Sequence, residues 1–200
     1  MTSISSSDAQ GSLGPYHDGL HACVMAAWGH WKRLMEEFHG FSPVGRRNVL
    51  HDFIVQEVRT RFGDVAGVRI KELKSGRFLV CVEGIVLIFK HVDSSLRPKN
   101  YPTKAALAFS KQLPLPAVPK GPRLVIGYQL NTLETELTKV SVIFLLGREV
   151  IWDYQISKGE SGGQVIPLFT DQPKPPRVRP KQPKQPRKIT DATKKPHQDK

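Results

Sequence analysis

Two apolar runs lie almost end to end in the middle of the chain, and they constrain the fold more than any other feature. Phe78–Val82 and Ile85–Phe89 are separated only by the dipeptide Glu83-Gly84. A two-residue link that ends in glycine is typical of a tight hairpin turn, so the runs predict paired strands over Arg77–Val82 and Ile85–Val92. The first run is apolar at every position, which is typical of a strand covered on both faces. We therefore expect Phe78–Val82 at the centre of a sheet.

Two helical patterns precede these strands. Over residues 17–39, large apolar side chains recur at steps of three and four, and Gly40 ends the pattern. Ser42-Pro43 suits the start of a second helix, because serine caps free N–H groups and proline loses nothing at the first position. That helix continues to Phe62. Because the link between the two helices is very short, they are expected to form a hairpin.

Period-two runs and turn residues predict the remaining elements. A strand is expected at residues 68–73, and Thr103 caps a predicted helix over Lys104–Leu113. Three further predicted strands are Arg123–Leu130, Lys139–Leu146 and Glu149–Ile156. Short turns within each group of strands favour antiparallel pairing. The sequence thus predicts an α+β fold, with an N-terminal helical hairpin on a mainly antiparallel sheet of about six strands and one further helix.

Charge is distributed unevenly along the chain. The formal net charge is +12, and residues 172–200 hold ten Lys and Arg against two Asp. The same segment contains seven prolines and only two large aliphatic residues, so it cannot bury enough apolar surface to fold. Composition therefore predicts a flexible lead over residues 1–15, a single α+β domain over 16–171 and a disordered basic tail over 172–200.

This basic tail is the clearest functional feature of the sequence. A mobile string of cations binds polyanions through counterion release. The tail has no aromatic residue to stack on bases, so any contact with nucleic acid is expected to be non-specific. A solvating tail, or one that binds an acidic partner protein, is an equally weighted alternative. The candidate polyanion-binding residues are Lys174, Arg177, Arg179, Lys181, Lys184, Arg187, Lys188, Lys194 and Lys195.

A polar connection, residues 90–104, leaves an apolar strand and enters a predicted helix. Free N–H groups at a helix start favour anions, and several polar side chain types converge there. The candidate anion-binding residues are His91, Arg97, Lys99, Asn100, Tyr101 and Lys104. His91 could also act as a general base. The alternative is an ordinary surface loop followed by a capped helix.

Other chemical signatures are weak or absent from the sequence. It contains no phosphate-binding loop, dinucleotide fingerprint or nucleophile elbow, so the catalytic residues stay unassigned and no cofactor is expected. His17 and His21 have helical spacing but lack further ligands, so no metal site is expected. Cys23 and Cys81 are expected to be buried free thiols.

Two pairs of aromatic residues have distinct expected roles. Trp28 and Trp31 fall on the apolar helical stripe and are expected to pack in the core. Trp152 and Tyr154 share one face of the last strand and would form a partner-binding patch if that face were open.

The sequence also bears on location. It shows no signal-peptide pattern and no apolar run near the roughly 20 residues that a membrane helix needs. We therefore expect no membrane-spanning segment and a cytoplasmic location.

Two stretches, residues 88–103 and 113–130, together with the helical hairpin before them, carry a resemblance. They resemble a poorly characterised set of small bacterial proteins encoded beside helix-turn-helix regulators or metallopeptidase-like antitoxins. The resemblance covers about residues 20–156 and excludes the tail. It implies the toxin or effector component of a toxin–antitoxin or phage-defence module, with an antitoxin protein as partner. It includes no catalytic motif, so it assigns no functional residue.

Three functional hypotheses follow from the sequence. The first is the toxin or effector, with no mechanism assigned. The second is a non-enzymatic accessory protein that binds nucleic acid through its basic tail. The third is an enzyme that uses the loop at residues 90–104 on a phosphate-bearing substrate.

Overall fold

The structure, a computed structural model, describes residues 3–38, 40–73, 76–99 and 103–158. Within these ranges the helices are α1 (Ser6–Leu13), α2 (His17–Glu37), α3 (Pro43–Phe62) and α4 (Lys104–Ser110). The strands are β1 (Val68–Glu72), β2 (Phe78–Val82), β3 (Ile85–Val92), β4 (Arg123–Leu130), β5 (Leu137–Leu146) and β6 (Glu149–Gln155). A single 3₁₀ turn, Gly14–Tyr16, joins α1 to α2.

The six strands form one mixed sheet in the order β1-β2-β3-β4-β5-β6. Neighbouring strands pair antiparallel except β3 and β4, which pair parallel from Val86↔Arg123 to Val92↔Gln129. A parallel pair needs a connection that returns the chain to the same end of the sheet. Residues 93–122, which include α4, make that connection. The sheet thus consists of two antiparallel meanders joined along β3 and β4.

Apolar side chains cover both faces of the sheet. On one face, alternate strand residues such as Leu87, Ile126 and Val142 pack beneath α1, α2 and α3. On the other face, Ile88, Val125 and Ile143 pack with Phe109 of α4. We call these the hairpin face and the α4 face. The expected α+β fold, with a helical hairpin on a mainly antiparallel sheet and one further helix, is confirmed.

The position predicted for Phe78–Val82 is wrong, although its burial is right. All five residues of β2 are buried, as expected of a strand covered on both faces. However, β2 lies next to the edge strand β1, and β3 and β4 occupy the centre. An unbroken apolar run indicates that other layers cover both faces of a strand. It does not locate the strand within the sheet, because helices can also cover a strand that is not central.

The expectation of a flexible lead is wrong for residues 6–13, which form α1. The Ser5 side chain caps this helix by accepting the Asp8 N–H at 3.1 Å. Ala9 and Leu13 lie on one face of the helix and are fully buried in the hairpin-face core. The Ser- and Gly-rich composition of the N-terminal residues therefore did not indicate this short helix, which is held by two apolar residues.

Helix α4 ends at Ser110, three residues before the predicted end. Gln112 has φ +56°, and its side chain leaves the helix to bind the backbone of β4. Its Oε1 accepts the Arg123 N–H at 3.0 Å, and its Nε2 donates to the Arg123 carbonyl at 3.0 Å. This buried clamp fixes α4 against the start of β4. The predicted disordered tail, residues 172–200, lies outside the described residues.

Candidate anion-binding cleft

Strands β2 and β3 separate partway along their length. Their Cα pairing runs from Val82↔Ile85 to Val80↔Leu87 and stops there. Phe78 and Leu79 continue to pair with β1, and β3 continues along β4 to Val92. The far end of the β1–β2 hairpin therefore bends away from β3. A cleft opens between Phe78 on one side and Ile88–Lys90 on the other.

On the α4 face this cleft widens into a cavity of about 480 Å³. Buried apolar side chains form its floor: Ile88, Phe109, Val125 and Leu145. Small-molecule sites typically measure about 300–1,000 Å³ and combine an apolar lining with a few polar groups. The cavity has the size and floor of such a site.

Cations dominate the polar lining of this cavity. Among the described residues, Arg77, Lys90, Arg97 and Arg148 line it, with Asp93 as the carboxylate. Asp93 Oδ1 accepts the N–H groups of Ser95 at 2.8 Å and of Arg97 at 3.0 Å. Its charge is therefore engaged in holding the turn after β3. The cavity wall carries a net positive charge.

Lys90 places a charge within the sheet, on the α4 face of β3. Along β3, the residues that face α4 are Val86, Ile88, Lys90 and Val92, and only Lys90 is charged. It is half-buried, and its pKa is lowered by burial and by the nearby Arg77 guanidinium. Within the described ranges, no carboxylate forms an ion pair with Lys90 or Arg77. Holding two unpaired cations together costs free energy that a bound anion would offset.

The Arg77 guanidinium is held over an aromatic ring. It lies 5.9 Å from the centroid of Phe109, and the Arg123 guanidinium lies 5.6 Å from the same centroid. Arg123 is itself anchored, since it donates to the Ala108 carbonyl at 3.3 Å. Burial first, and then the neighbouring Arg77, lower the pKa of Arg123. Stacking on an aromatic face orients a guanidinium while leaving its N–H edge available to a ligand.

The cleft continues through the gap between β2 and β3. An adjoining cavity of about 370 Å³ shares Arg77, Ile88, Lys90 and Thr103 with the first and reaches His51 of α3. A third cavity, of about 450 Å³, shares His51, Gly76 and Phe78 with the second and lies on the hairpin face. We call the three together the through-sheet groove.

The predicted site residues divide among different places. Arg97 lines the cavity, as does Thr103, which caps α4 by accepting the Ala106 N–H at 3.2 Å. Lys99 and Lys104 are exposed and lie outside the cavity lining. Asn100 and Tyr101 lie outside the described residues, as do the candidate residues of the basic tail.

His91 does not join this group, because it points to the hairpin face. It is 4% exposed and stacks on Tyr128 beside a cavity of about 20 Å³ lined also by Trp31, Arg47 and Glu134. Burial, and secondarily Lys99, lower its pKa to about 4. Neither ring nitrogen has a hydrogen-bond partner in the described part of the chain. His91 and Arg97 therefore belong to opposite sides of the sheet.

Of the four described cations that line the cavity, sequence reasoning missed three. Arg77, Lys90 and Arg148 come from the start of β2, the middle of β3 and the β5–β6 turn. Lys90 carried a usable signal, since it interrupts an apolar alternation inside a covered strand. Arg77 and Arg148 carried none, because cations beside turns are ordinary surface residues.

The remaining sequence candidates have structural surroundings. His17 Nε2 and the Tyr154 hydroxyl form a buried hydrogen bond of 3.0 Å, and no group of three or more potential metal ligands occurs among the described residues. Cys23 and Cys81 are buried free thiols on opposite faces of the sheet, as predicted. Burial raises the pKa of Cys23 to about 12.

The structure also places the two aromatic pairs considered in the sequence. Trp28 and Trp31 pack in the core, as expected. The face shared by Trp152 and Tyr154 is closed, because Trp152 Nε1 donates to the Ile4 carbonyl at 3.0 Å and Tyr154 is buried. The last strand therefore offers no open aromatic patch at this position.

Comparison of the chain with protein-family models, with curated proteins and with solved structures gives no match. None of the described helices is both long enough and apolar enough to span a bilayer.

Proposed function

We propose that the protein binds a phosphate-bearing small molecule in the cavity between β2, β3 and α4. The observation that carries the proposal is the pair Arg77 and Lys90, two half-buried cations without a carboxylate partner among the described residues. They stand at the wall of a cavity of about 480 Å³ with an apolar floor.

The mixture of cation types favours phosphate over other anions. A guanidinium presents several N–H donors in a plane, and an ammonium acts as a compact point charge. Arg97 and Arg148 add two exposed cations at the rim. A phosphate carries up to two negative charges and several acceptor oxygens, so it can engage several such donors together. The apolar floor suits an organic group attached to that phosphate.

The test is titration of the full chain with inorganic phosphate and with ribonucleoside 5′-monophosphates by isothermal calorimetry. Arg77→Gln and Lys90→Met should each weaken binding roughly 10- to 100-fold, the range for a lost hydrogen bond to a charged group. Matched controls are Arg69→Gln and Lys71→Met, which change exposed cations on β1 outside the cavity lining. Unaltered affinity in both cavity variants would overturn the proposal.

A second measurement separates a binding role from a structural one. In the free protein, Lys90→Met removes a half-buried unpaired cation and should raise the melting temperature. If Lys90 served the fold instead, the same change would lower it. The combination of higher stability and weaker phosphate binding is the signature of a residue kept for a ligand.

The charge of residues 172–200 favours a second candidate function, non-specific nucleic-acid binding through the tail. Ten cations against two carboxylates would release counterions from a polyanion. Binding of a single-stranded oligonucleotide should weaken steeply with salt and disappear from a chain that ends at Asp171. Equal binding by the shortened chain would exclude the tail as the contact.

The toxin or effector role implied by the resemblance stays a prediction. Growth of a bacterial culture that expresses the full chain, beside one that expresses a chain ending at Asp171, tests it directly.

A further inference from the structure

The two ends of the through-sheet groove differ in chemistry. Cations dominate the end on the α4 face, as described above. At the other end, exposed side chains of Asp52, Gln56 and Thr60 line the groove. These residues are spaced by four along α3, so they form one row on the surface of the helix.

That row is rich in hydrogen-bond acceptors. The Thr60 hydroxyl donates its proton to the Gln56 carbonyl at 3.0 Å, which leaves its oxygen lone pairs to accept. Arg59, the cation in the described lining of this end, pairs with Glu72 and is neutralised there. Asp52 has no ion-pair partner among the described residues. This end of the groove therefore suits a group that offers N–H donors.

The middle of the groove joins the two ends. Its lining includes His51, Phe78 and Phe89, with Arg77 and Lys90 at the boundary of the cationic end. Burial, followed by the positive charge of Lys90, lowers the pKa of His51, so its imidazole is neutral near pH 7. A neutral imidazole and two aromatic side chains fit the uncharged central part of a ligand.

Resting on the phosphate site proposed above, we propose that the ligand is a nucleoside phosphate with an amino-substituted base. Its phosphate binds Arg77 and Lys90, its sugar lies beside His51, and its exocyclic amine donates to the Asp52 carboxylate. A carboxylate that accepts from the exocyclic amine of cytosine is a known mode of base reading. A nucleotide has the required polarity, with charge at one end and N–H donors at the other.

Two matched pairs of probes isolate the base contact. Cytidine and uridine 5′-monophosphate differ along one edge of the base: cytosine has an exocyclic amine beside an acceptor ring nitrogen, whereas uracil has a carbonyl oxygen beside a ring N–H. Adenosine and inosine 5′-monophosphate differ in the same way. The full chain should bind the amino member of each pair about 5- to 100-fold more tightly, which is the discrimination typical of a good base contact.

One substitution should remove that preference and leave the phosphate contact intact. In Asp52→Asn the two members of each pair should bind within about threefold of each other, while affinity for inorganic phosphate stays at the wild-type value. Asp64→Asn is the matched control, because Asp64 is exposed and does not line the groove. It should keep the full preference.

The outcomes distinguish this inference from the phosphate proposal. If phosphate binds through Arg77 and Lys90 but the wild-type chain prefers neither member of a pair, or prefers the carbonyl member, the base contact is overturned and the phosphate site stands. A preference that survives in Asp52→Asn also overturns it. If neither phosphate nor any nucleotide binds, both proposals fail together.

Discussion

The imidazole of His91 lies almost parallel to the phenol ring of Tyr128, with centroids 5.5 Å apart and planes at 8°. The two side chains are neighbours across the parallel β3–β4 pair, where His91 is in register with Tyr128. Both point beneath the helical hairpin and are almost fully buried. Burial raises the pKa of Tyr128, so the phenol is neutral. The stack therefore places an uncharged imidazole inside the hairpin-face core.

This burial predicts that His91 makes the protein less stable in acid. The pKa of His91 in the folded protein, about 4, lies below the ordinary histidine value of 6.5. Between these pH values the unfolded chain binds the proton more readily than the folded chain does. The stabilising effect of neutral His91 is therefore complete above about pH 6.5 and is lost as pH falls toward 4. Over this range, His91→Gln should reduce the slope of the unfolding free energy against pH by up to about 1.4 kcal/mol per pH unit. An unchanged slope in His91→Gln would contradict the assignment.

The loop before β4 predicts a sharp difference between two glycine substitutions. Gly121 has φ +147°, and a Cβ there would lie 2.0 Å from the Gly84 carbonyl oxygen in the β2–β3 turn. Gly121→Ala should therefore destabilise the protein by roughly 2–4 kcal/mol in urea unfolding. Gly11 is exposed in α1 and has no neighbour within 4 Å of such a Cβ. Gly11→Ala should stabilise by up to about 1 kcal/mol, and the absence of any gain would contradict the helical conformation of Gly11.

The N-terminal helix should contribute measurable stability. Leu13 is fully buried in the hairpin-face core, so Leu13→Ala should cost roughly 2–5 kcal/mol of unfolding free energy. Leu133→Ala makes the same chemical change at a side chain that is 78% exposed, and it should cost little. Equal small effects in chemical denaturation would mean that residues 6–13 detach from the domain in solution.

The buried hydrogen bond between His17 and Tyr154 fastens the start of α2 to β6. Tyr154→Phe removes the hydroxyl and leaves the His17 ring nitrogen unpaired, which should cost about 1–3 kcal/mol. Tyr16→Phe removes a weaker, exposed hydrogen bond of 3.4 Å to Glu83 and should cost much less. Thermal unfolding of the two variants side by side measures the difference.

Local patterns predicted most of the elements, because each helix or strand repeats its own period in sequence. The predicted bounds of β3 and β4 coincide with those of the structure. Pairing between distant segments left no such trace. Nothing in residues 85–92 or 123–130 specifies that these two strands lie side by side and parallel. The central position predicted for β2 failed for the same reason.

The cleft illustrates the same limit at the level of side chains. Arg148 is distant in sequence from Arg77, Lys90 and Arg97, and the pairing of the strands in the sheet places all four around one cavity. The sequence hypothesis grouped His91 with Arg97 because they are close along the chain. Successive side chains along a strand point to opposite faces of the sheet, so His91 lies on the opposite face. This alternation can be read from residues 85–92 in the sequence alone.

The parallel pairing of β3 with β4 has a consequence for how the chain folds. Each meander forms from contacts between neighbouring segments, whereas the pairing between meanders must first close the long connection of residues 93–122. Loop closure of this kind is slow relative to hairpin formation, so joining the halves is expected to limit the folding rate. Arg77 and Lys90 belong to one half, and Arg148 and the Leu145 floor belong to the other. The cavity therefore exists only when the two halves are joined. A molecule that occupies it would contact both halves and slow their separation.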